Sequence, residues 1–95
     1  MDTTRISELL FGRPCRLPIA LWILGFEKDR FFQSEPPESL GARTAIRQEL
    51  DRLTELGLLA IERPDHENRV YYVRTSSPLW DVIRTAAEAV QRLDG

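Results

Sequence analysis

The residues best suited to chemistry lie close together in this 95-residue chain. Arg43, Thr44, Arg47 and Gln48 share one side of segment 42–56, whose other side carries Ile46, Leu50, Leu53 and Leu56. Arginine can pair bidentately with guanine and glutamine with adenine, while a neighbouring Arg or Thr can hold a phosphate. The same residues also fit the solvated face of an amphipathic helix. A second set of cations, Arg63 and Arg69, brackets the polar stretch Pro64-Asp65-His66-Glu67-Asn68.

Elsewhere the reactive residue types stand alone. Cys15 is the single cysteine, so no internal disulfide and no multi-cysteine zinc site is expected. Arg16 beside it and the helix start after it are features that lower a thiol pKa. An isolated cysteine ahead of an apolar run nevertheless reads first as a small packed residue. His66 is the single histidine and has no array of carboxylates or thiols at metal-ligand spacing. There is no Ser/His/Asp constellation and no glycine-rich phosphate loop. The expectation is a non-enzyme with no catalytic residue, no metal and no cofactor.

These side chains need elements to hold them. Ile6, Leu9 and Leu10 mark a helix over 3–11, capped by Asp2, Thr3 or Thr4 and ended by Gly12-Arg13-Pro14. Leu17, Ala20, Leu21 and Leu24 mark a second over 15–26, apolar on most sides, with Pro18 in its first turn. Phe31-Phe32-Gln33 fits a short strand. Pro36 and Pro37 exclude a long helix there but fit the first turn of a short one ending at Gly41. The acids beside them, Glu35 and Glu38, fit a solvated loop or a protein contact. Segment 42–56 is the clearest helix, with Gly57 as its left-handed terminator. Segments 58–63 and 69–74 read as two strands of a β-hairpin, the second rich in Val and Tyr. Ser77-Pro78 opens a last helix over 77–93, where Leu79, Ile83, Ala86, Val90 and Leu93 repeat as a heptad seam.

The balance of residues agrees with one small domain over 1–95, mainly α with a small β-hairpin (α+β). Hydrophobic residues make up 42% and charged residues 29%, which argues against wholesale disorder. No apolar run reaches the roughly 20 residues of a membrane span, and no secretory leader is visible. A cytoplasmic protein with no membrane partner is expected. Arg supplies 12 of the 13 basic residues, yet the net charge is −2. Between Arg43 and Arg74 six arginines face six acids, so this half is neutral and its affinity for a polyanion should be modest per protomer.

The order of elements, with Leu40-Gly41-Ala42-Arg43-Thr44-Ala45-Ile46-Arg47-Gln48-Glu49-Leu50, then Leu53, Leu56, Gly57, Leu58 and Leu59, resembles the winged helix-turn-helix transcription factors of bacteria and archaea. Arg63 to Arg74 resembles their wing. Arg16-Leu17-Pro18-Ile19 is similar to a helix start in the ArsR-like branch, within a broader ArsR/MarR-like group. The resemblance covers about Arg13 to Val90. It implies a winged helix-turn-helix fold in which 42–56 is the recognition helix and 58–74 the wing. It also implies double-stranded DNA as a partner, touched by Arg43, Thr44, Arg47, Gln48, Arg63 and Arg69, with His66 and Asn68 at the wing tip. Two departures stand out. The helix before the recognition helix shrinks to about Pro37–Leu40, and the paired cysteines of metal-sensing relatives are missing.

Two functions follow as expectations. One is a transcriptional regulator that binds DNA as a homodimer, paired through Leu79, Ile83, Ala86, Val90 and Leu93, with Ile6, Leu9 and Leu10 alongside. The other is a winged-helix module whose partner is another protein, which the acidic balance and the shortened helix favour.

Overall fold

The computed structural model of the chain describes residues 2–94. Helix α1 (Thr3–Phe11) begins where Asp2 Oδ1 accepts the Arg5 amide at 2.8 Å and ends at Gly12, left-handed at φ 81°. Asp2, rather than Thr3 or Thr4, is its cap. Ser7, fully buried, joins α1 to the next helix. Its hydroxyl donates to the Arg13 carbonyl at 2.6 Å and accepts the Leu17 amide at 2.9 Å. Helix α2 (Arg16–Gly25) buries Leu17, Ile19, Ala20 and Ile23, as its broad apolar girth requires. The Arg74 guanidinium donates to the Ile23 and Leu24 carbonyls at 3.0 and 3.2 Å. That satisfies the end of α2 with a cation where the helix dipole is negative.

Strand β1 (Arg30–Phe32) leads to a single 3-10 turn (Glu38–Leu40) and then to helix α3 (Arg43–Glu55). Pro36 and Pro37 precede that turn, and Pro36 is buried. The proline pair thus permits one turn where a full helix would stand. Ile46 and Leu50 on α3 are wholly inaccessible. The helix closes in a Schellman arrangement: Leu58 N–H donates to the Leu53 carbonyl at 2.9 Å and Gly57 N–H to that of Thr54 at 3.1 Å. Gly57 sits at φ 83°, the left-handed conformation that glycine adopts without steric cost.

Strands β2 (Leu59–Glu62) and β3 (Tyr71–Arg74) form the expected hairpin. The sheet has a third strand, however, because β1 pairs with the other edge of β3, giving the order β1-β3-β2. Phe31, Tyr72 and Ile61 align across it. Phe31 and Tyr72 point into a core shared with Ile19, Ile23, Ile46 and Leu50. Helix α4 (Leu79–Asp94) packs on α2 and α1. Ser77 Oγ accepts the Leu79 amide at 3.2 Å, and the buried Trp80 indole donates to the Leu58 carbonyl at 3.0 Å. Among the described residues these four helices and the three-stranded antiparallel sheet with its hairpin make an α+β winged helix-turn-helix topology. None of these helices is long and apolar enough to cross a membrane.

The heptad seam expected on the last helix does not stand open as one stripe. Val90 is buried in a small cluster with Ile6 and Leu17, and Ile83 packs against the main core. Leu79 and Leu93 remain exposed, with Ala86 half-buried between them. The protomer therefore covers part of the seam itself, and Ile6 with it.

Candidate nucleic-acid interface

Helix α3 presents Arg43, Thr44, Arg47 and Gln48 to solvent, as its apolar stripe dictates. Their surroundings differ. Arg43 lies 3.7 Å from the Glu38 carboxylate on the 3-10 turn. Gln48 is engaged too, since its Oε1 accepts from the Arg13 guanidinium at 2.7 Å. A bidentate pair with adenine needs both ends of the amide, so Arg13 must swing aside before Gln48 reads a base that way. Thr44 is exposed. Arg47 forms no ion pair among the described residues.

The hairpin carries the other expected cations, Arg63 and Arg69. Tyr72 on β3 is buried, and burial, helped by the charge of Asp51, pushes its hydroxyl above the usual range. Arg47 and Arg63 pull the other way. One hydroxyl thus senses Asp51 and Arg47 from α3 and Arg63 from just beyond β2. Arg63, like Arg47, has no acidic partner among the described residues. Arg69 sits over the Phe32 ring, 4.5 Å from its centroid, and Arg30 lies over Tyr71 at 4.3 Å. Arg30 is also ion-paired with Glu62. The two rings meet edge to face at 6.1 Å. Stacking on an aromatic face leaves the donors at the guanidinium edge available.

The least expected feature is Glu49. It lies on α3 yet is only 3% exposed. Arg16 Nε donates to its Oε1 at 2.7 Å, Arg13 to its Oε2 at 3.1 Å, and Arg52 lies 3.6 Å away. Burial alone would raise this carboxyl. The hydrogen bonds from Arg16 and Arg13, with the charges of Arg16 and Arg52, outweigh it and hold the group below the ordinary carboxylate range. The cluster fastens α3 to α2 and to the α1–α2 connection. Its signal in the sequence is an acid at the i+3 position after Ile46, inside the apolar stripe.

Cys15 is buried beneath the turn at Gly41, where a Cβ would come within 3.2 Å of the cysteine Cβ. Burial and then the Glu49 charge push its thiol up, so the activation allowed by Arg16 is not realised. His66 is exposed at the wing tip, and no group of three metal-ligating side chains occurs among the described residues.

No family model, no curated protein and no solved structure matches this chain. The helix-turn-helix-like arrangement and its β-hairpin are read from the molecule alone.

Proposed function

We propose that the chain is a sequence-specific double-stranded-DNA-binding regulator acting as a homodimer, with α3 in the major groove and the wing on flanking phosphate. The observation that carries this reading is a pair of exposed cations, Arg47 on α3 and Arg63 just after β2, that form no ion pair among the described residues. Unpaired cations on both the helix and the hairpin supply the kind of contact that a duplex takes from more than one element. Arg69, stacked on Phe32, is a third.

In this reading Arg47 contacts a base and Arg63 and Arg69 hold phosphates. Loss of the base contact in Arg47→Ala should cost about 1–3 kcal/mol and relax preference at one position of the site. Loss of a phosphate contact in Arg63→Ala should weaken all duplexes alike and lower the salt slope by about one unit. Titration of both variants on genomic fragments and scrambled duplexes at several salt concentrations separates the cases. The Arg43–Glu38 and Arg13–Gln48 contacts favour a second reading, a protein-binding module, since they engage two of the expected DNA contacts internally. A parent chain that binds no duplex even at low salt would establish that second reading over the first.

A further inference from the structure

Arg13 lies outside α3, in the connection between α1 and α2, yet its guanidinium spans two consecutive residues of that helix. One nitrogen donates to Glu49 Oε2 at 3.1 Å and the other to Gln48 Oε1 at 2.7 Å. The bridge is firmly anchored. Glu49 is buried and is held independently by Arg16, whose Nε donates to its Oε1 at 2.7 Å. Arg13 is fixed at its backbone, because its carbonyl accepts from the buried Ser7 hydroxyl at 2.6 Å. Gln48 is exposed, as are Thr44 and Arg47 beside it. The bridge thus runs from a buried carboxylate, through one arginine, to a side chain that meets solvent. Chemistry then fixes which way the amide turns. A guanidinium has five donors and no acceptor, so only the amide oxygen can face it. The Nε2 group, with its two N–H donors, is turned away from Arg13.

We propose that Arg13 is a positioning residue for base selection: by holding the Gln48 oxygen it makes Gln48 a pure donor, which selects guanine in place of adenine. The proposal rests on the DNA reading above and supplies the base choice at one position of the site. In the major groove adenine sets its N6 donor beside its N7 acceptor, and a free glutamine answers with both ends of its amide. With the oxygen held, the adenine N6 group meets another donor and is left unpaired. Guanine presents two acceptors side by side, N7 and O6, so the Nε2 group finds acceptors only. Thymine offers a single acceptor beside a methyl group, and cytosine a donor. The charge of Arg13 acts in the same direction, since a cation nearby favours an edge made of acceptors. Residue type alone pairs Gln48 with adenine, and a contact from 35 positions away reverses the choice.

Two measurements test this, the first without DNA. In the free chain the heteronuclear NOE of the Gln48 side-chain amide nitrogen should report a restrained group. Arg13→Ala should release that group while the backbone amides of α3 stay ordered. The second is selection from duplexes randomised one position at a time. Gln48→Ala locates the position, because preference is lost there alone. The parent should favour guanine over adenine at it by roughly tenfold to a hundredfold. Arg13→Ala should move that preference toward adenine and leave other positions unchanged. Gln48→Glu guards against a fold lost with Arg13, since it leaves the Glu49 contacts in place. It keeps an oxygen for Arg13 but has no donor, so guanine preference should vanish in favour of cytosine, whose N4 group donates. A freely mobile Gln48 amide in the parent overturns the proposal, with or without DNA. A parent that selects adenine there, or an Arg13→Ala variant that still selects guanine, overturns it while the DNA reading stands. A parent that binds no duplex overturns the DNA reading and the base choice together, and differs from these outcomes because every position then fails at once.

Discussion

At the residue scale the central fact is a buried anion held by cations from other parts of the chain. Glu49 belongs by periodicity to the inward stripe of α3, where an unpaired carboxylate would be costly. Arg16, Arg13 and Arg52 make its burial tolerable. Replacing it should strand their donors. Glu49→Gln is expected to lose about 1–3 kcal/mol of stability in urea unfolding, kept below the fully buried limit because the arginines remain partly solvated. The pH dependence has a definite sign. The folded carboxyl titrates below its unfolded value near 4.3, so the unfolded chain binds the proton first as pH falls. The stabilisation is complete above that value and is lost as pH drops through the lower folded one. The parent should therefore lose its advantage over Glu49→Gln between about pH 4.5 and the acid limit, as measured by unfolding curves across that range. Cys15, by contrast, has a thiol pushed up by burial and by that same Glu49. Cys15→Ser should leave any DNA titration identical under oxidising and reducing conditions, and an oxidation-sensitive parent with an insensitive variant would show a reactive thiol instead.

At the scale of elements, punctuation did most of the positioning. Gly57 ends α3 in the left-handed region with open space around its missing side chain, so the cost of a substitution there is purely conformational. Gly57→Ala should cost about 1–2 kcal/mol, whereas Gly25→Ala, in the last turn of α2 with equally open surroundings and no positive φ, should be neutral or stabilising by about 0.5–1 kcal/mol. Thermal melts of the pair separate backbone strain from packing. The same local signals made the four helices and the hairpin legible: caps at Asp2 and Ser77, Gly12 and Gly57 at helix ends, and the Tyr-rich strand. The third strand resisted such reading in one respect. Arg30–Phe32 is too short for alternation to declare a face, and its partner Tyr71–Arg74 lies some forty residues away. Long-range pairing of this kind leaves no local trace. The exposed polar face of α3 was legible because its apolar complement is strict. What Arg43 and Gln48 touch was not, because Glu38 and Arg13 reach them from other elements. Likewise Phe32, a bare aromatic in the sequence, holds Arg69 in place. Phe32→Leu should weaken binding to all duplexes, with Phe32→Tyr restoring it, if that stacking prepares Arg69 for phosphate.

At the scale of the whole molecule, the apolar surface of α4 and the weak charge of the α3–wing half point to one arrangement. Six arginines against six acids between Arg43 and Arg74 leave each protomer little electrostatic attraction for a duplex, so the proposed DNA binding calls for two copies of α3 acting together. The seam read from the sequence is divided between the protomer's own core and its surface for a physical reason. A heptad repeat marks residues that face some helix, but it does not say whether that helix belongs to the same chain. Val90 found Ile6 and Leu17, and only the exposure of Leu79, Val82 and Leu93 shows what remains for a partner. Pairing through that surface ties stability to concentration. When folded dimers unfold to separate chains, each tenfold rise in protein adds about 1.4 kcal/mol per dimer to the apparent stability. The melting midpoint of the parent should therefore climb steadily with concentration. Val82→Asp should melt at one temperature throughout, near the parent's most dilute value. Duplex titrations of the two proteins should diverge in step, the parent binding a two-half-site fragment steeply and the variant shallowly, while both bind an isolated half-site alike. A parent midpoint that ignores concentration would show the protomer folding alone, and the steep titration would then have to vanish with it.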